Sequence, residues 1–202
     1  MPAAADAVRA AYTRRAVEYT ELLGSLDAVH AEDLRLIRDW ACRVPGPVLD
    51  AGCGPGHWTA FLAEQGVEVT GIDQVEPFVE GARRRFPGVE FRVGRLETIP
   101  RRDGALGGVL AWYSLIHLPP ADVPAVLREF ARVLRPGGGL LLGLFDGTPG
   151  EAFDHAVATA YRWDAETIGA VLDTAGFDSC GSSRRAEPET RPHLAVEARR
   201  RA

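Results

Sequence analysis

Apolar and polar positions along this 202-residue chain recur in two alternating periods. Over residues 3–23, Val8, Ala11, Tyr12, Ala16 and Tyr19 recur at helical spacing in an alanine-rich stretch and predict a first helix. A second helix is predicted from Asp27 to Cys42, with Asp27 as its N-cap. Short apolar runs then begin to punctuate the chain. "PVLDA" (47–51), "VEVTGID" (67–73), "VEFRVG" (89–94), "ALGGVLAWYS" (105–114) and "GLLLGLF" (139–145) read as strands. Helices are predicted between them: 57–65, stopped by Gly66; 75–86, ended by Pro87-Gly88; and 121–134, its end marked by "RPGGG". "DAETIGAVLDTAGF" is a last helix with Asp164 as N-cap, followed by strands "DSCGSSRRA" and "HLAVEARR". Alternation of continuous apolar strands with helices predicts an α/β, doubly wound sheet, which binds ligands at the carboxyl ends of its strands.

Composition narrows the function classes. The chain is 46% hydrophobic and 25% charged, an ordinary globular balance. Its net charge of -5 gives no reason to expect a nucleic-acid partner, and the arginine clusters (Arg83-Arg84-Arg85, Arg199-Arg200-Arg201) read as solvated faces. The sequence contains no lysine, which excludes Schiff-base chemistry and a P-loop lysine, and no asparagine. Cys42, Cys53 and Cys180 make no metal-ligand spacing, so no metal is expected. With no signal peptide and no apolar run of membrane-span length, a cytoplasmic protein without a membrane partner is expected.

"VLDAGCGPG" at residues 48–56 falls where the first strand turns into a helix. Gly52, Gly54 and Gly56 let the backbone approach a ligand closely, although a bare strand-to-helix turn would use glycines too. A dinucleotide fingerprint is spaced Gly-x-Gly-x-x-Gly, whereas this turn is Gly52-x-Gly54-x-Gly56. Asp50 would repel a pyrophosphate but suits an ammonium group. Asp73, ending the second apolar strand, is spaced to accept from both ribose hydroxyls; its plainer role is an N-cap. A ribose and an amine without a pyrophosphate fit S-adenosylmethionine.

With these residues the chain resembles the class I S-adenosylmethionine-dependent methyltransferases of small-molecule type. The resemblance rests on "VLDAGCGPG", "VTGIDQ", "VGRLETIP", "GVLAWYSLIHLPP" and "EFARVLRPGGGLLLGLF", and runs from about Tyr12 to the last strand. It implies a Rossmann-like, mostly parallel seven-stranded sheet with an antiparallel last strand. It further implies that Gly52, Cys53, Gly54 and Gly56 line the cofactor, that Asp50 orients the methionine amine, and that Asp73 holds the ribose. Gln74 and Leu96 would lie at the adenine, where Arg95 replaces the acid usual in the family. Tyr12 would close over the cofactor, with His57, Trp58 and Trp112 beside it. One domain over 1–202 is implied, with residues 1–26 and 146–163 as lid.

Sulfonium chemistry asks chiefly for alignment, and for a base only where the acceptor carries a proton. His117 and Tyr113, after the fourth strand, are the catalytic candidates; His117 could equally be a loop residue. Acceptor-binding candidates are Tyr19, Tyr113, His117, His155, Tyr161, Arg191 and His193. Arg191 would suit a carboxylate. The expected partner is a small-molecule acceptor, methylated on oxygen or nitrogen, and the expected assembly is a monomer or homodimer. Two alternatives stay open: a non-catalytic module binding S-adenosylmethionine or S-adenosylhomocysteine, and a nucleotide-dependent oxidoreductase.

Overall fold

The computed structural model describes residues 2–188 and 190–202, so position 1 of the expected 1–26 lid lies outside the described residues. Helix α1 (Pro2–Leu23) leads into α2 (Ala31–Arg43). Then follow β1 (Val48–Ala51), α3 (His57–Glu64), β2 (Val69–Asp73), α4 (Glu76–Arg85), β3 (Glu90–Val93) and β4 (Leu106–Trp112). Helix α5 (Val123–Val133) runs straight into β5 (Leu134–Asp146). Two short strands, β6 (Ala152–Phe153) and β7 (Ala160–Trp163), precede α6 (Ala165–Thr174), β8 (Phe177–Arg185) and β9 (His193–Arg200).

Strands β3, β2, β1, β4 and β5 lie side by side and parallel. Strand β9 pairs antiparallel with β5, and β8 pairs antiparallel with β9 at the far edge. These seven form the expected sheet with its antiparallel last strand. β7 adds in parallel to the end of β5, and β6 pairs back onto β7, bringing the total to nine among the described residues. The 146–163 segment is therefore stitched to the sheet rim by backbone hydrogen bonds, including Tyr161 N–H to the Ile116 carbonyl at 2.8 Å.

The apolar runs are buried on both faces, as parallel strands between helix layers require. Leu49, Val109, Leu140 and Leu142 face α5 and α6 through Phe130, Leu127 and Leu172. Their alternates Val48, Leu110 and Leu141 face Ile37 and Trp40 of α2 and Leu62 of α3. Helix α1 stands apart from both cores. It packs on α4 through a small cluster in which Tyr12, Ala16 and Tyr19 meet Val75 and Phe78.

Two boundaries depart from the sequence expectation. Asp27 does not cap α2. Ser25 accepts the Asp27 N–H at 3.1 Å and holds residues Leu26–Ala28 as a 3-10 turn, and the ring Nδ1 of His30 caps α2 by accepting from Glu32. "RPGGG" does follow the end of α5 at Val133, but it continues as strand rather than closing the helix with a glycine cap. Leu134 pairs with Leu106, and pairing resumes at Gly108 with Gly139, so residues 135–138 are a bulge within β5. Gly137 makes it possible by adopting φ +75°.

Candidate active site

The order of the strands reverses on either side of β1 and β4, and a cavity of about 820 Å³ opens at their carboxyl ends. The turn after β1 is pinned by Gly52 and Cys53 N–H groups, both donating to the Ile72 carbonyl. Its three glycines take φ +82°, +52° and +87°, and they differ in what a side chain would meet. A Cβ on Gly52 would sit 2.3 Å from Ser114 Cβ, and one on Gly56 would strike Ala82 and the ring of Phe91 at 2.8 Å. A Cβ on Gly54 would meet nothing within 4 Å. Gly52, Cys53 and Gly54 line the cavity; Gly56 does not, being the left-handed N-cap of α3 packed against α4.

Asp73 lines the cavity at the end of β2 and is 8% exposed. Its two oxygens each accept one backbone N–H, from Val75 at 2.8 Å and Gly54 at 2.9 Å, which ties the glycine turn to β2. Burial raises its pKa to about 6 against those hydrogen bonds. Asp50 is more deeply placed, 2% exposed, and does not line the cavity. The Thr59 hydroxyl donates to it at 2.6 Å, and burial raises its pKa to about 7. This contact braces β1 against α3 and places Asp50 behind the lining, so that it would act on a bound amine from beneath the glycine turn. Trp58, Gln74, Arg95, Leu96 and Trp112 all line the cavity. Arg95 reaches Glu97 at 3.2 Å and Asp6 of α1 at 3.5 Å.

The wall beyond β4 is aromatic. Tyr113 closes β4 with φ +57°, costly for a bulky residue and imposed by its surroundings. Its N–H donates to the Gly143 carbonyl and its hydroxyl is hydrogen-bonded to Nδ1 of His193. His193 arrives there because β9 runs antiparallel and begins opposite Phe145. His117 Nδ1 donates to the Thr159 carbonyl at 2.8 Å, which leaves Nε2 to accept from the Tyr12 hydroxyl, also at 2.8 Å. Burial lowers the pKa of His117 and His193, and takes His155 down to about 4. All three imidazoles are neutral at pH 7. Tyr19 and His155 complete this wall.

Two of the acceptor candidates are not among the residues that line the cavity. Tyr161 sits in β7 and is not part of the lining. Arg191 lies outside the cavity with its guanidinium 5.2 Å from the Phe153 ring and bonded to the Asp154 carbonyl. Other lining residues carried no signal in the sequence. Asp33 of α2 and Arg185 of β8 are 152 positions apart, yet form a bidentate pair at 2.6 and 3.0 Å in the cavity wall. Phe145 and Ser114 were findable, because each follows or ends a predicted strand at its carboxyl end. Among the described residues no cluster of side chains could hold a metal ion. Among the described residues no helix is long and apolar enough to cross a membrane.

Residues 48–138 match the methyltransferase-domain family. That segment belongs to the methyltransferase-domain family, in line with the class I S-adenosylmethionine-dependent resemblance of the sequence. It is 34% identical over 144 residues to the malonyl-[acyl-carrier protein] O-methyltransferase of Serratia marcescens, covering 67% of this chain and 51% of that one. It is 36% identical over 118 residues to the ubiquinone biosynthesis O-methyltransferase of Xanthomonas oryzae pv. oryzae, covering 56% and 48%. The chain thus spans about half the length of these relatives. Its fold is that of the Burkholderia thailandensis 1,6-didemethyltoxoflavin-N1-methyltransferase, solved with its substrate and S-adenosylhomocysteine. The two superpose with a TM-score of 0.81 over 98% of this chain and 89% of that one, at 24% identity. The cofactor of this methyltransferase family is S-adenosylmethionine.

The cavity residues fit that cofactor. Gly54 offers open space where any side chain would intrude, and Asp73 presents a carboxylate with spare acceptor capacity at the same wall.

Proposed function

We propose that this chain transfers the methyl group of S-adenosylmethionine to an oxygen or nitrogen of a small-molecule acceptor. The observation that carries the reading is the joined pair of Asp73 and Gly54: a buried carboxylate hydrogen-bonded to a glycine N–H whose outer face is empty. Asp73 would accept from the ribose hydroxyls, the backbone at Gly52–Gly54 would pass under the methionine portion, and Gln74 and Leu96 would border the adenine. When bound, the cofactor supplies an already activated methyl group on a sulfonium centre, so the protein's work is alignment and exclusion of water. Tyr12 and Tyr19 on α1, with the 146–163 segment, would close the cavity against solvent.

For an acceptor that carries a proton, the neutral imidazoles of His117 and His155 are the available bases. His155 makes no hydrogen bond to any described residue, and its Nδ1 is buried without a partner. His117 has both nitrogens engaged in the closed arrangement. The relatives' names include O- and N1-methyltransferases, which supports both acceptor atoms. Calorimetry tests the cofactor half: S-adenosylhomocysteine is expected to bind and NAD to stay silent. Turnover of methyl-labelled cofactor over pooled phenols, amines and acids tests the transfer. Cofactor binding without transfer to any pool would instead favour a non-catalytic binding module.

A further inference from the structure

The acceptor end of the cavity carries a charge pattern that selects among substrates. Five rings line it in contact with one another. Tyr113 and Phe145 lie 5.1 Å apart, Phe145 stands 5.9 Å from His193 and 5.8 Å from His155, and His155 is 5.2 Å from His117. The charged groups among them are matched internally. Arg185 is held by both oxygens of Asp33, and both side chains are largely buried. His30 uses Nδ1 to cap α2, so its other nitrogen bears the proton facing Glu187 at 3.0 Å. Arg95, the other arginine lining the cavity among the described residues, is engaged with Glu97 and Asp6. Arg191 is turned outward over Phe153.

Resting on the methyl-transfer reading above, we infer that the acceptor is an uncharged planar aromatic or heteroaromatic ring. It lies against Phe145 and Tyr113, and its polar edge meets the imidazoles of His155 and His193. A carboxylate entering this chamber would lose its hydration and find no unpaired cation among the described residues. An ammonium would find Asp33 already neutralised by Arg185, and Glu187 solvated, its side chain 45% exposed. A flat uncharged ring instead gains offset and edge contacts with the aromatic wall. Neutral imidazoles can donate or accept at its heteroatoms.

Three probes of one size separate the possibilities: 2-naphthol, 6-hydroxy-2-naphthoate and 2-naphthylmethylamine. Each is titrated calorimetrically into the protein with and without S-adenosylhomocysteine. The uncharged 2-naphthol is expected to bind at least about tenfold more tightly than either charged analogue, because burying an unpaired charge is costly. Asp33→Asn leaves the Arg185 guanidinium with only the longer, exposed Glu32 contact at 3.9 Å and is expected to strengthen 6-hydroxy-2-naphthoate binding by about tenfold or more, since a charge-assisted pair then becomes available. His155→Ala, at the rim of the chamber, is expected to weaken 2-naphthol severalfold and leave S-adenosylhomocysteine affinity unchanged. Equal or tighter binding of a charged probe to the unsubstituted protein overturns the inference, as does failure of all three to bind. Loss of S-adenosylhomocysteine binding alone would remove the cofactor reading and leave the charge preference of the chamber standing on its own data.

Discussion

The hydroxyl of Tyr12 donates to Nε2 of His117 across 2.8 Å, joining two residues 105 positions apart. This contact connects α1 to the loop after β4, and His117 passes the connection on to Thr159 in the 146–163 segment. The two pieces expected to cover the cavity are therefore linked through one imidazole. Tyr12→Phe removes the donor and leaves a buried ring nitrogen unpaired. Unfolding stability is expected to fall by about 1 kcal/mol. Hydrogen exchange should quicken first in α1, whose cluster with Val75 and Phe78 is separate from the main cores. Unchanged exchange across α1 would mean that the aromatic contacts alone hold it down.

The glycine turn makes a sharper prediction, because its members differ. Gly54→Val places a branched side chain in empty space, at a φ of +52°. Stability is expected to drop by about 1–3 kcal/mol from backbone strain alone. S-adenosylhomocysteine binding should be abolished in calorimetry while the near-UV circular dichroism stays native. Gly56→Val must displace Phe91 and Ala82, so it should unfold the domain or lower its melting temperature far more. Normal cofactor binding by Gly54→Val would show that the ligand does not pass there.

Most of the sheet was legible from local pattern, since continuous apolar strands and helical spacing are properties of short windows. Asp73 and the glycine turn were legible too, because motif spacing along the chain fixes their juxtaposition. What the sequence hid depends on long-range pairing. Asp33 and Arg185 look like solvated charges on an amphipathic helix and an edge strand; only the antiparallel return of β9, which carries β8 at its side, brings them together. The placement of Arg191 was hidden for the complementary reason. It precedes β9, where a cation can turn either inward or over Phe153, and no local pattern distinguishes the two. Asp50 was read by its motif as orienting the methionine amine; that Thr59, one helical element later, donates to its carboxylate from within depends on how α3 packs on β1.

Asp73 gives the site a pH dependence of known sign. Its pKa rises from the usual 3.8 to about 6 in the folded protein, chiefly through burial. Between those values the native chain holds a proton that the unfolded chain has released. This carboxyl's contribution to stability therefore declines as pH rises through that window and is constant above it. Binding runs the other way, because ribose hydroxyls need the ionised acceptor. S-adenosylhomocysteine affinity is expected to rise with pH through about 6 and then level off. Asp73→Ala should bind about 1.5–3 kcal/mol more weakly, and without that rise. An unaltered pH profile in the variant would assign the titration elsewhere.

Whether His117 moves a proton or only braces the cover can be read from two substitutions compared on one acceptor. In the closed arrangement its Nδ1–H is fixed on the Thr159 carbonyl, and its one lone pair, on Nε2, is occupied by Tyr12. Burial keeps the ring neutral, the state a base requires. Tyr12→Phe exposes that lone pair without touching the imidazole, whereas His117→Ala removes both. If His117 is the base for an uncharged phenol or ring N–H, His117→Ala should lower kcat about 10²–10⁴-fold. Tyr12→Phe should then lower it less than about tenfold, as expected for loss of one hydrogen bond in the cover. The unfolding free energies of the two single variants and the double variant should show a coupling of about 0.5–1.5 kcal/mol in either case. That coupling makes the kinetics, not the stability, the deciding measurement. Equal losses of kcat in the two variants would assign His117 to bracing alone and leave His155 as the base.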